Sequence, residues 1–206
     1  ALVAAISAVN ASFGFALHSL DERLSRQLQV AELACRVERP AAFNELEMKG
    51  LTNFLAGVKQ LEQVNPQPLP KCSSQQHLQV SGALHELGVH HRTEERLDPY
   101  VADVRLVTDR RLIEIDGPLH FVGGSQRYDM KSSLKHRLLT KQGWKVHHIA
   151  WSDWPEHHHN RMSYMARLLR NSAPGKHLLE YKPLCDSSKL EGRATMDSLS
   201  KPQIDV

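Results

Sequence analysis

The segment Arg111-Leu-Ile-Glu-Ile-Asp-Gly-Pro-Leu-His-Phe121 gathers side chains suited to acid–base or cation chemistry. It begins as a strand. Leu112, Glu114 and Asp116 point one way, and Ile113 and Ile115 the other. Gly117-Pro118 ends the run, because Pro118 has no N–H for a ladder. Two carboxylates therefore share one strand face, and His120 follows just past the strand end. The preceding run, Val101 to Val107, also alternates, with Asp103 and Arg105 on one face and Ala102, Val104 and Leu106 on the other. Thr108-Asp109-Arg110-Arg111 reads as the hairpin connection. A turn centred on Asp109-Arg110 predicts Asp103 opposite Asp116, and Arg105 opposite Glu114. A directly opposed Asp–Asp pair costs up to about 1 kcal/mol. Three gathered carboxylates call for a cation or for raised pKa values.

The elements that must position these groups follow from periodicity. Ser73 or Ser74 caps a predicted helix through Leu78, Val80, Leu84 and Leu87 to Gly88. His90 to Asp98 reads as a charged surface segment before the hairpin. Gly123-Gly124-Ser125 gives a loop, and a helix covers about Asp129 to Gln142, with Met130, Leu134 and Leu138 as its buried stripe. From this helix Lys135 or Lys131 is placed to reach toward the carboxylates. Trp144 to Trp151 is a third strand, with Val146, His148 and Ala150 on one side. A last helix, about Asn160 to Asn171, turns Met162, Met165, Leu168 and Leu169 inward.

The same stretch carries the strongest basic set in the chain. Arg127, Lys131, Lys135, His136, Arg137, Lys141, Lys145 and His147 lie on or around one helix, beside Trp144. Many cations next to an aromatic ring suit phosphate contact and base stacking. A plain solvated helix face is the alternative.

Upstream, residues 1–66 read as an all-α segment. Ala16, Leu17, Leu20, Leu24, Leu28 and Ala31 recur at helical spacing, Pro40 breaks the pattern, and a second helix carries Leu46, Leu51, Phe54, Leu55, Val58 and Leu61. Prolines 66, 68 and 70 make residues 67–71 a linker. Residues 156–171 form the C-terminal helix, and 172–206 a polar extended tail whose ordering would need a partner surface.

Composition excludes some classes. The formal charge is +3, too mild to indicate nucleic acid by itself, although 13 histidines add capacity for positive charge. Three cysteines, Cys35, Cys72 and Cys185, are odd in number and far apart, so neither a disulfide framework nor a zinc site is supported, and a reducing compartment fits best. No run of about 18 apolar residues exists, so no membrane span or membrane partner is expected. The chain starts at Ala1 without an initiator Met, as expected of a processed form or part of a longer protein.

Four motifs in order, Ile113-Glu-Ile-Asp-Gly-Pro-Leu-His-Phe121, Leu134-Lys-His-Arg-Leu-Leu139, Gly143-Trp-Lys-Val146 and Trp151-Ser-Asp-Trp154, resemble the RAP domain. The resemblance covers roughly residues 72–155. It implies an α/β restriction-endonuclease-like module of the PD-(D/E)xK type after the all-α segment, whose helices resemble degenerate helical repeats, octotricopeptide-like ones among them. The family's usual role implies RNA binding in a mitochondrion, or alternatively a chloroplast. The expected partners are RNA, in particular rRNA, and neighbouring proteins in a large ribonucleoprotein such as a mitochondrial ribosome or an RNA-processing complex. A PD-(D/E)xK nuclease holds Mg²⁺ with an Asp and a Glu and places a Lys two residues after the Glu. Asp103 and Glu114 match the first two and are the candidate metal ligands. Asp116 stands at the Lys position, as it commonly does in the family. Asp103, Glu114, Asp116, His120 and Lys135 are thus the catalytic candidates of a Mg²⁺-dependent endoribonuclease, the alternative reading. The expected outcome is a degenerate nuclease site that needs no cofactor, with Glu114, Asp116 and His120 as a hydrogen-bonded structural cluster. A purely protein-contacting subunit is the third reading.

Overall fold

A computed structural model describes residues 1–14, 16–64, 74–123 and 125–170. The predicted linker at 67–71 and the tail at 172–206 lie outside these described residues.

The first part is helical, with helices α1 (Leu2–Phe13), α2 (Glu22–Glu38), α3 (Pro40–Met48) and α4 (Leu51–Val64). The single helix expected from Ala16 to Ala31 is divided. Leu17–Ser19 forms a separate 3-10 turn, and α2 starts only after Asp21, whose carboxylate accepts the Leu24 N–H at 2.7 Å. That cap fixes the helix start, because it satisfies one of the donors orphaned at an N-terminus. The expected second helix is also two. Pro40 opens α3 as its first residue, and Gly50, at φ +66°, separates α3 from α4. Val3 and Ile6 of α1, Leu28 and Cys35 of α2, Leu46 of α3 and Leu51, Phe54, Leu55 and Val58 of α4 form one apolar core. No helix among the described residues is long and apolar enough to cross a membrane.

The second part is α/β, as expected. It runs α5 (Gln75–Glu86), β1 (His91–Leu97), β2 (Tyr100–Leu106), β3 (Arg111–Asp116), α6 (Met130–Lys141), β4 (Lys145–Ala150) and α7 (His158–Arg170). Ser74 caps α5, its hydroxyl accepting the His77 N–H at 3.2 Å. The sheet order is β1-β2-β3-β4. The first three strands are antiparallel, and β4 lies parallel to β3 after the α6 crossover. Helices α5 and α7 cover one face through Val80, Leu84, Tyr164 and Met165, packed with Val104, Leu106, Ile113, Ile115 and Ile149. Helix α6 covers the other, with Leu139 against Ala102 and Leu112 and with Trp144 and Val146 at the margin.

Three sequence expectations are corrected here. The charged segment from His91 to Leu97 is a strand, paired along β2 from His91↔Leu106 to Leu97↔Tyr100. Its edge position leaves much of it wet, so it lacks a clean apolar alternation. The β2–β3 register pairs Val104 with Ile113 and Arg105 with Leu112, so the connection spans 107–110 and centres one residue earlier than expected. Arg105 therefore faces Leu112 and not Glu114, and it pairs instead with Glu95 of β1 at 2.6 Å. Finally, Met130 is 89% exposed, and the buried residues of α6 are Leu138 and Leu139.

Candidate functional site

The site grows from the end of β3. Leu112, Glu114 and Asp116 face α6 as alternation requires, and both carboxylates are buried. Asp103 does not stand with them in simple alternation. Ala102 packs with the α6-side cluster while Val104 packs with the α5/α7 side, so the strand changes phase at Asp103. Its carboxylate Oδ2 accepts the Ile115 N–H at 2.6 Å, and its carbonyl lies 3.0 Å from His77 Nε2. A side chain thus completes the ladder where the β2–β3 pairing ends.

Glu114 is held from above. Lys135 of α6 donates to its Oε2 and also to the Val101 carbonyl at 2.7 Å. Of the two cations expected to reach inward, Lys135 is the one that does. The other carboxylate oxygen, Oε1, is buried with no hydrogen-bond partner. Burial pushes the Glu114 carboxyl up to about 7; Lys135 opposes the shift and Asp103 reinforces it.

Asp116 has the opposite balance. Burial alone would raise it, but the hydrogen bond and charge of His148, the Tyr128 hydroxyl and His120 together hold it below its usual range. His148 Nδ1 lies 2.6 Å and the Tyr128 hydroxyl 2.8 Å from Oδ2, while His120 Nδ1 is 3.3 Å from Oδ1. An ionised carboxylate can only accept, so His148 carries its proton on Nδ1. His148 Nε2 lies 2.8 Å from His136 Nδ1, and burial depresses the His136 pKa to about 4. His120 also lies 3.2 Å from the Ser132 hydroxyl.

This arrangement does not suit a divalent ion. Asp103 Oδ2 is committed to the backbone, Glu114 Oε2 to Lys135, and both oxygens of Asp116 to a tyrosine and two histidines. Among the described residues, no group of three or more His, Cys, Asp or Glu side chains is arranged to hold a metal ion. Glu114 instead pairs with Lys135, and Asp116 separately with His148, Tyr128 and His120, so the expected Glu114–Asp116–His120 cluster is two adjacent polar sets.

Sequence reasoning passed over His148 and Tyr128 as site residues. A signal for His148 existed: β4 is parallel to β3 with Glu114 beside His148, on the face predicted for Val146 and Ala150. Tyr128 had none, because its approach depends on the 121–128 turn, where Phe121 bridges Tyr128.

The basic residues divide into inward and outward sets. Lys135 and His136 are engaged in these two sets. Arg137 is tied to Glu38 of α2 at 2.5 and 3.2 Å. Trp144 is partly buried, and the Arg110 guanidinium sits over its ring at 4.6 Å while donating to the Gln142 carbonyl. Arg127, Lys131, Lys141 and Lys145 are exposed. Lys131 and Lys141 lie near opposite ends of α6, about 15 Å apart along its axis.

Residues 113–168 match the family model for the RAP domain. The match opens in β3 and closes in α7, so Glu114, Asp116, His120, Lys135, His136 and His148 fall inside it and Asp103 outside. The RAP family is RNA-binding, and the match points to RNA as a partner of this chain.

Proposed function

We propose that this protein is an organellar RNA-binding subunit that holds rRNA in a mitochondrial ribosome or a related RNA-processing complex. The observation that carries the reading is the RAP match over residues 113–168 together with the exposed cations Arg127, Lys131, Lys141 and Lys145 on and around α6. Those four are the phosphate contacts of the proposal. Lys135, His136 and Arg137 serve the module's own structure, because each is already paired.

The proposed role is structural and needs no cofactor. Glu114 and Lys135 close on one another, and Asp116 is saturated by its neighbours, so this position acts as a polar core that fixes α6 on the sheet. The cations are thereby held on a rigid helix. Neighbouring proteins of the particle are the second class of partner, and a mitochondrion is the proposed location. The direct experiment is titration of a labelled organellar rRNA fragment with the full chain. Saturable binding at moderate salt supports the proposal, and none at low salt would end it.

A further inference from the structure

Four of the eight exposed large hydrophobic side chains among the described residues stand at one end of the sheet. Leu119 is 91% exposed, Met130 89%, Trp151 54% and Val122 51%. The backbone draws their segments together. The Trp151 N–H donates to the Asp116 carbonyl at 2.9 Å, where parallel strands β3 and β4 both end. The Asp129 N–H donates to the His120 carbonyl at 2.9 Å and the Val122 N–H to the Arg127 carbonyl at 2.8 Å. Leaving a side chain of this size wet forgoes about 1.5 to 3 kcal/mol of burial, so a cluster of them marks a contact surface.

The charges at this end select the occupant. Arg127 and Lys131 are exposed there. The nearby carboxylates are hydrogen-bonded within the fold, Asp116 by His148 and Tyr128, Asp129 as the α6 cap accepting the Ser132 N–H at 2.7 Å, and Asp153 by the Ser152 hydroxyl at 3.2 Å, and Asp129 also attracts Lys131. A half-exposed indole and apolar neighbours beside two exposed cations match the two faces of an unpaired nucleotide, an apolar base and an anionic phosphate. A duplex hides its base faces and fits the cations alone. Trp144 offers no comparable platform, because Arg110 already covers its ring.

We propose that the rim of Trp151, Leu119 and Met130 takes unpaired RNA bases, with Trp151 as the stacking platform and Arg127 and Lys131 on the adjoining phosphates. The proposal rests on the RNA-binding reading and adds the strand class and the place. The test titrates the full chain, wild type, Trp151→Ala and Trp151→Phe, with single-stranded oligouridylate and with an RNA duplex of equal length. Trp151→Ala is expected to weaken single-strand binding roughly 5- to 100-fold and leave duplex binding unchanged, and Trp151→Phe to keep most of the affinity. Thermal unfolding of the three forms should coincide. Equal single-strand affinity of wild type and Trp151→Ala would overturn the rim proposal and leave RNA binding intact. Equal losses on both RNAs, or self-association that Trp151→Ala abolishes, would also overturn it, the latter in favour of a protein contact. Absence of any RNA binding by the wild type would remove the underlying reading itself.

Discussion

Lys135 of α6 closes on one carboxylate oxygen of Glu114 of β3, and the second oxygen, Oε1, is left buried without a partner. The pair lies under the helix that carries the exposed cations, so it links the packing of the module to its surface. Both residues are largely withdrawn from water, with side-chain exposures of 23% and 5%. Such a pair gives little net stability compared with apolar residues of the same volume, yet removing one partner is costly.

Lys135→Met should therefore destabilise the chain by about 3 to 5 kcal/mol, because it strands the Glu114 charge. The loss should be greater at pH 8.5 than at pH 6, where Glu114 can take up a proton. The double variant Lys135→Met, Glu114→Gln should recover most of the loss. Urea midpoints of the four proteins check this, and a double variant no better than Lys135→Met would contradict it.

Buried Glu114 and partly buried His136 give pH signatures of opposite sign. Glu114 has its usual value of 4.5 raised to about 7, so the folded chain holds an extra proton between those values. Stability from this group is full below about 4.5 and is lost as pH rises through 7, by up to about 3 kcal/mol. Glu114→Gln should thus gain on wild type as pH rises across that window. His136 falls from 6.5 to about 4, so its contribution is present above 6.5 and is lost as pH drops toward 4. His136→Gln should remove that second slope. Urea unfolding between pH 4 and 8 separates the two.

The helical segment meets the module through Glu38 and Arg137, a bidentate contact whose arginine is 53% exposed. Solvent screens it, so a double-mutant cycle with Glu38→Gln and Arg137→Gln should give a coupling of no more than about 1 kcal/mol. A coupling above about 2 kcal/mol would contradict this screening.

Much of this was legible in the sequence. The alternation from Leu112 to Asp116, the Ser74 cap and the 130–141 helix follow from local rules that tertiary packing did not override. What was not legible depended on contacts between distant segments. The β1 strand is charged, and only its pairing with β2 makes it a strand. The register of Asp103 turned on one residue in the 107–110 connection, which alternation does not fix. Lys135 and Lys131 are equivalent by helical spacing, and only the placement of α6 over β3 turns Lys135 inward and leaves Lys131 exposed. The two tryptophans reverse for a similar reason. Trp144 carries the Arg110 guanidinium over its ring, whereas Trp151 lies beyond the strand end.

The central claim is that RNA phosphates contact the exposed cations of the module. Lys131, Lys141 and Lys145 are the set to remove, since none of them is in the Glu114 or Glu38 pairs. The most direct measurement is the dependence of RNA affinity on salt concentration for wild type and for Lys131→Ala, Lys141→Ala, Lys145→Ala. Each lost phosphate contact should lower the slope of log K against log salt by about 0.7 to 0.9, so the triple variant should bind more weakly with a slope reduced by about 2 and an unchanged unfolding midpoint. Unchanged affinity and slope in a folded triple variant would contradict the account.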